Sequence, residues 1–515
     1  MSIEYLKARN ESLTCTYNGL YLHSSYNPEN EGQRFVQSLK IDYTPESIVV
    51  IEPALAYCAK DLRARFPGVK LYAIRFAKEF NAASASCAAS ASCAASTSCA
   101  ASASCAAFEK EFLFESPNAL SLELFNTLGE EGLLNSFFVS WPPSAKAFAQ
   151  KDAECWNVIS SVVKNAQSIL ATRQYFAKRW IKNQFNFFNS IYKTALLNKI
   201  DMPVLICASG PSLKTSIPFI NKMQDQFFII ACSSSLKPLL YNKIKPDLCI
   251  STDGGYWAKK HLECLMQNTD IPLCIPSESC VSKKILRKNT IIPLAYGDNA
   301  DNLIFEKFSI PYLHAKRNGT ISGTAVELAQ SITDKNIFFC GLDMESTKGF
   351  VHTQPNELEN INSLIDTKLT PREKRIFIQG LDSSQLEIYR NWFIENSERL
   401  SKRLYRLSDG WNYCNKLGFI KDINWSEITN YIECNNFSAE EKKKYFTNAS
   451  ITECGKSEVK KIFLDLLDNA EWQKNYFPAD FIAVKRKSLP DKICAEKNLN
   501  SKIEDIKKYI ASQET

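Results

Sequence analysis

The chain has 515 residues, 45% of them hydrophobic and 23% charged, which are ordinary proportions for a globular protein of roughly three domains. Its 62 basic and 56 acidic residues leave a formal net charge of only +6, with no long basic run, so nucleic acid is excluded as the expected partner. No stretch approaches the about 18 consecutive apolar residues of a membrane span, and the Met-Ser-Ile-Glu-Tyr-Leu start carries an early acid and no apolar leader, so the expectation is a cytoplasmic protein without a membrane partner.

Residues 1–150 read as an α/β domain. Glu46-Ser-Ile-Val-Val-Ile-Glu52 is a short apolar strand, Ala54 to Arg65 has helical spacing, and Val69 to Ile74 is the next strand. The intervening loop, Glu52-Pro-Ala-Leu-Ala-Tyr57, has alanines where a dinucleotide-binding turn needs glycines, which favours a Rossmann-like unit without a cofactor. Residues 82–107 repeat Ser-Cys-Ala-Ala-Ser with a period of six and place Cys87, Cys93, Cys99 and Cys105. That period fits neither helix nor strand, and side chains this small bury too little apolar area to offset ordering. The tract reads as an expanded repeat forming a surface loop or a weak helix.

Residues 151–200 form a helical connector, with Trp156, Ile159, Val162, Val163, Ile169 and Leu170 on an apolar face. Arg173, Arg179, Asn183 and Asn186 read as its solvated face. Residues 201–356 alternate strands (204–207, 227–231, 247–251, 272–275, 291–294 and 336–340) with helices, the spacing of a doubly wound parallel sheet. Residues 357–515 read as mostly helical, with one more strand and turn in Arg403-Leu-Tyr-Arg-Leu-Ser-Asp-Gly410.

Ligands of such sheets sit at the carboxyl ends of the strands. Those ends are Ser209-Gly210-Pro211-Ser212, Cys232-Ser233-Ser234-Ser235, Ser251-Thr252-Asp253-Gly254-Gly255 and Gly341-Leu-Asp343-Met-Glu345. Asn318-Gly-Thr-Ile-Ser322-Gly323-Thr324 adds a further helix start with available N–H groups. Hydroxyls, glycines and two acids at successive strand ends suit a nucleotide. Of the four histidines, His352 lies in a loop leaving a strand end, where a general base belongs. His261 reads as a surface residue, His314 as a core residue or a supporting one, and His23 lies near the N-terminus. No P-loop, Gly-x-Ser-x-Gly elbow or His-Glu-x-x-His is present. The 18 cysteines include no CxxC pair, and Cys207, Cys232, Cys249 and Cys340 fall in or beside core strands, so reduced thiols are expected and neither a metal site nor a disulfide framework.

Val-Leu-Ile-Cys-Ala-Ser-Gly-Pro-Ser-Leu213, Ala231-Cys-Ser-Ser-Ser-Leu-Lys-Pro-Leu-Leu240, Lys245-Pro-Asp-Leu-Cys-Ile-Ser-Thr-Asp253, Ser322-Gly-Thr-Ala-Val-Glu-Leu-Ala329 and Phe339-Cys-Gly-Leu-Asp343 together resemble the motility accessory factor (Maf) glycosyltransferases. Tyr21-Leu-His-Ser-Ser-Tyr-Asn-Pro28 and Arg179-Trp-Ile-Lys-Asn183 are also typical of that family. The resemblance implies transfer of a nonulosonic acid, pseudaminic or legionaminic, from its CMP-activated form to serine or threonine hydroxyls of flagellin, free or chaperone-bound. It also implies a Rossmann-like, sialyltransferase-like central domain that needs no metal or other cofactor. In this match Gly210, Pro211, Ser212, Ser322 and Gly323 hold the nucleotide, and the strand-end pattern adds Ser209, Ser233, Asp253, Asn318 and Thr324 to the expected sugar-nucleotide site. The match also has Asp343 orient the sugar nucleotide and His352 deprotonate the acceptor. The sialyltransferases carry Asn where Ser209 stands and tyrosines where Ala315-Lys-Arg-Asn318 stands, which leaves Lys316 or Arg317 to neutralise the leaving phosphate.

The central domain also resembles an archaeal hydroxymethylpterin diphosphokinase (MptE-like), which would use ATP and Mg²⁺. That chemistry wants clustered acids near Asp253, and Thr252-Asp-Gly-Gly-Tyr256 offers one. A third reading is a flagellin-binding protein with a decayed nucleotide site.

Overall fold

The computed structural model describes residues 3–80, 108–296, 300–316, 318–344, 350–372, 374, 384–408, 416–433, 435–449, 455–486 and 489–513. The repeat at 82–107 and Arg317 lie outside the described residues. The chain divides into two compact units, Met1–Tyr175 with Tyr476–Lys502, and Phe176–Asn475 with Ile503–Thr515. One 40-residue helix, α1 (Ala149–Phe188), passes from the first unit into the second, so the helical connector expected over 151–200 is a single helix that ends at Phe188.

The first unit holds a three-stranded antiparallel sheet, β1 (Ile3–Lys7), β2 (Leu13–Tyr17) and β3 (Leu20–Tyr21), and a parallel sheet. The parallel sheet contains β4 (Ser47–Ile51), β5 (Lys70–Arg75), β6 (Lys110–Leu113) and β7 (Ser136–Ser140), in the order β6-β5-β4-β7. The alanine-bearing loop after β4 is filled by the chain's own carboxylate. Buried Glu52 accepts N–H groups from Ala54, Phe76 and Ala77, and buried Arg75 bridges it to Glu111. Burial pushes the Glu52 carboxyl above its usual range, although Arg75 and these hydrogen bonds oppose the shift.

The second unit is built on an 11-stranded sheet. Its strands are β8 (Thr194–Leu197), β9 (Val204–Cys207), β10 (Phe228–Cys232), β11 (Leu248–Ile250), β12 (Leu273–Pro276) and β13 (Ile291–Ala295). They continue with β14 (Leu313–His314), β15 (Ile337–Cys340), β16 (Leu404–Leu407), β17 (Lys421–Ile423) and β18 (Phe446–Ala449). The order is β17-β16-β15-β9-β10-β11-β12-β13-β8-β18, with β14 on β13. Every named pair is parallel except β18 with β8. β9 lies between β10 and β15, in register Val204↔Phe228 and Val204↔Ile337, and all four of its apolar residues are buried, as a parallel strand covered on both faces requires. Each Leu or Ile buried there contributes about 1.5–3 kcal/mol. The segment after residue 357 is mostly helical, and it also supplies β16, β17 and β18, so the sheet runs beyond the boundary at 356 that the sequence suggests.

The helices that matter for the site are α2 (Leu213–Met223), α3 (Tyr256–His261), α4 (Ile321–Ile332), α5 (Glu357–Ser363) and α6 (Ser384–Glu395). From β9 the chain winds one way through β10 to β13, and β15 then returns to the other side of β9. The switch of winding direction therefore falls between β9 and β15, where doubly wound sheets open a crevice at their carboxyl edge.

Candidate functional site

The loop after β9 packs directly on the turn after β15. Gly210 donates its N–H to the Gly341 carbonyl at 2.9 Å. A Cβ on Gly210 would lie 2.5 Å from that carbonyl oxygen and 2.7 Å from Asp343 Oδ2, and Gly341 takes φ +70°, so both positions require glycine. Asp343, only 1% exposed, accepts the Ser212 N–H at 2.7 Å on one oxygen and the Ser212 hydroxyl on the other. The next N–H groups of this turn bond inside it, Leu213 to Gly210, Lys214 to Pro211 and Thr215 to Ser212. The positive end of α2 thus already faces a carboxylate. Asp343 holds the loop from beneath, and Gly210 and Pro211 are its half-exposed residues.

The loop after β10 joins this edge. Ser209 and Ser234 share a hydroxyl–hydroxyl hydrogen bond of 2.7 Å, and the Ser235 hydroxyl donates to the Cys207 carbonyl. Ser233 is buried beside them. Ser322, in the first turn of α4, bonds the Cys232 thiol, and α4 packs over β9 and β10. Burial pushes that thiol up to about 12, so it stays protonated and is no nucleophile. The described cysteines are all free.

Residues 350–357 form a strap across these loops. Thr353 donates its N–H to the Ser209 carbonyl and its hydroxyl to the Gly210 carbonyl, both at 2.6 Å. Asn356 donates to the Ser234 carbonyl at 3.0 Å. His352, one residue before Thr353, is thereby fixed beside the Ser209–Ser212 loop. Glu359 Oε1 accepts the N–H groups of Val351 (2.9 Å) and His352 (3.0 Å), and its Oε2 accepts from Arg372 at 3.0 Å.

His261 corrects the expectation of a surface residue. It ends α3, is 7% exposed, and its Nδ1 lies 3.2 Å from Glu357 Oε2, while Lys237 lies 3.1 Å from the other oxygen. The His261 and His352 ring centroids are 6.2 Å apart. His314 reverses the other way: expected in or behind the core, it is exposed on the two-residue β14.

Burial pushes the carboxyls of Glu357 and Glu359 up, but hydrogen bonds outweigh it and hold both below the usual range. The favourable groups are His261, the backbone and Lys237 for Glu357, and for Glu359 the nearby His352 imidazole, close but not hydrogen-bonded, with the His352 and Val351 N–H groups that do bond it. Their folded values therefore lie below the unfolded value of about 4.3. Each contributes stability that is fully present above that pH and lost as pH falls through the folded value. A melting series should show the loss setting in below about pH 4, and Glu359→Gln should flatten it. An acid limb unchanged in the variant would contradict the assignment.

At the remaining strand ends, Asp253 is exposed and accepts the Gly255 N–H at 2.9 Å. Asn183 of α1 donates to the Gly254 and Glu278 carbonyls, and Trp180 lies so close to Gly254 that a Cβ would come within 2.7 Å. Asn183 is therefore not on a solvated face; nor are Asn186, which bonds Tyr509, and Arg173, which pairs with Glu130, whereas Arg179 is exposed. Tyr389 of α6 lies near Asp253, its phenol held above the usual range by burial and that charge. Trp392, one turn on, rests against Gly323. The Asn318 amide nitrogen is buried without a hydrogen-bond partner among the described residues, Thr320 caps α4 through the Ser322 N–H, Thr324 is buried, and Lys316 is exposed.

A sheet wound this way, with two strand-end loops strapped to a histidine, belongs to the large class of doubly wound α/β proteins that bind ligands at the carboxyl edge. Comparison narrows the class. Residues 178–349 match the family described as 6-hydroxymethylpterin diphosphokinase MptE-like. The solved structure of a MAf glycosyltransferase from Magnetospirillum magneticum AMB-1 superposes with a TM-score of 0.58 at 11% identity, covering 99% of this chain and 91% of that one. An uncharacterized protein of Treponema pallidum (strain Nichols) is 29% identical over 300 residues, 57% of this chain, which spans 65% of that relative's length. The chain is Maf-like in fold, with an MptE-like domain at its centre. No helix among the described residues is long and apolar enough to cross a membrane.

Proposed function

We propose that the protein is a cytoplasmic glycosyltransferase that moves a nonulosonic acid, pseudaminic or legionaminic, from its CMP-activated form to serine or threonine hydroxyls of flagellin, in support of flagellum assembly. The observation that carries this reading is the strap: Thr353 ties the residue after His352 to the carbonyls of Ser209 and Gly210 at the switch of winding direction. The Maf-like fold supports it further.

In the reaction the acceptor oxygen attacks the anomeric carbon, the bond from that carbon to the CMP phosphate oxygen breaks, and the acceptor proton passes to His352. Two helix starts border the edge, and they are not equivalent. Asp343 already faces the start of α2, whereas α4 begins with Thr320, Ser322 and Gly323 and carries no acid in its first turn. The leaving phosphate is therefore assigned to the Asn318–Thr324 turn, where N–H groups favour negative charge, with Lys316 or Arg317 to neutralise it. The exposed rim of the Ser209–Ser212 loop, Gly210 and Pro211, and Ser233 border the rest of the nucleotide, and Asp253 with Tyr389 borders the sugar side. No step needs a metal.

The test is intact-mass analysis of flagellin, free or with its chaperone, after incubation with the protein and either CMP-nonulosonate. Added nonulosonate mass is the expected result. The match of residues 178–349 to the MptE-like description favours a second reading, pyrophosphoryl transfer from ATP with Mg²⁺ to a hydroxymethylpterin. Pterin conversion without sugar transfer would replace the first reading by the second. Flagellin capture with neither activity would leave a binding protein.

A further inference from the structure

We infer that Glu359 is the positioning residue of His352, fixing the imidazole with its proton on Nδ1 so that Nε2 keeps the lone pair. This rests on the reading of His352 as the base and adds the group that prepares it.

Glu359 is 2% exposed in the first turn of α5, and its two oxygens have separate tasks. Oε1 takes the N–H groups of Val351 and His352 and lies 3.6 Å from His352 Nδ1. Oε2 is held by Arg372 Nη1, Arg372 Nη2 bonds the Glu359 carbonyl at 3.0 Å, and Arg372 Nε reaches Asp366 at 3.2 Å. The carboxylate is therefore ionised and immobile, since its charge is balanced by a guanidinium that is itself anchored twice.

The backbone on both sides of the imidazole is pinned, the His352 N–H by Glu359 and the Thr353 N–H by the Ser209 carbonyl. What remains free is the ring. Its Nδ1 is buried and has no hydrogen-bond partner among the described residues. At 3.6 Å from Oε1 the contact is too long for a hydrogen bond. A lone pair on Nδ1 would face carboxylate lone pairs, whereas a proton there gains an ionic acceptor after a shift of a few tenths of an ångström. The Nδ1–H tautomer is the one the site favours, and it leaves Nε2 able to accept a proton. The other titratable ring nearby, His261, has its own carboxylate in Glu357, which Lys237 also holds, so Glu359 is left to His352.

The test is two-bond nitrogen–proton correlation spectroscopy of the full chain labelled with ¹⁵N-histidine. There are four histidines, and His352→Ala identifies the signal of interest. In the wild-type protein at pH above its titration, His352 should carry the proton on Nδ1; a proton on Nε2 overturns the inference without any variant. Glu359→Gln should bring up the Nε2–H form, and Glu359→Asp, which keeps the charge, should retain the Nδ1–H form. Wild-type tautomer in Glu359→Gln also overturns it. In transfer assays Glu359→Gln should lower kcat about 10- to 100-fold with little change in KM. Failure of the base reading looks different: His352→Ala would keep full transfer whatever the tautomer result.

Discussion

His352→Ala should lower transfer of nonulosonate to flagellin by about 10²–10⁴-fold, the usual contribution of a positioned general base, while CMP affinity stays nearly unchanged. The two readouts separate because, in the proposed reaction, the imidazole acts on the acceptor proton, whereas the strap that carries it is tied through its neighbours. Thr353 keeps both bonds to the Ser209–Gly210 backbone when residue 352 loses its ring, and the 352 N–H still meets Glu359. The loop, and with it the nucleotide, should be left in place. Single-turnover rates with calorimetric CMP titration measure the two quantities. Full transfer in the variant removes His352 as the base; loss of CMP binding in equal measure would make it a binding residue instead.

Asp343→Ala should have the largest effect on stability, a loss of about 2–4 kcal/mol, and should loosen the loop after β9. The Ser212 N–H and hydroxyl would both be left without their acceptor in a place where water does not replace it. Gly210 sits against the same carboxylate and the Gly341 carbonyl, so the space vacated lies directly under the loop. Asp343→Asn, which keeps one acceptor oxygen, should lose about half as much. Denaturant unfolding measures the difference. An alanine variant as stable as the parent would show that the loop holds itself.

The central alternation of strands and helices was legible because each strand of the sheet is a short continuous apolar run, the pattern that burial on both faces imposes, and each is closed by a glycine- or serine-rich turn. The observed strands fall within a residue or two of the expected ones from Val204–Cys207 to Ile337–Cys340. The strand ends also came out as the place where Ser209–Ser212, Ser233, Asp343 and His352 meet. What was not legible is long-range. β17 and β18, of three and four residues, carry polar residues at the ends of a sheet, so no local period marks them. The partner of His261 stands 96 residues away, and a lone histidine closing a six-residue helix has the same local sequence whether buried or exposed. Asn183 looked solvated because the residue it bonds, Gly254, is 71 residues further on. His314 misled in the opposite sense: it follows apolar residues, but the strand it ends is an appendage on β13.

The strap grips its neighbours by their main chain. Thr353 and Asn356 hold the carbonyl oxygens of Ser209, Gly210 and Ser234, so the side chains at 209 and 234 can be exchanged without cutting those ties. Positions 209 and 234 are thus separable from the machinery that places the imidazole: one pair of side chains is open to variation, and the anchorage persists beneath it. A set of variants at Ser209 and Ser234 would be the natural starting library for altering the nucleotide side of the proposed site while the strap keeps its main-chain anchorage.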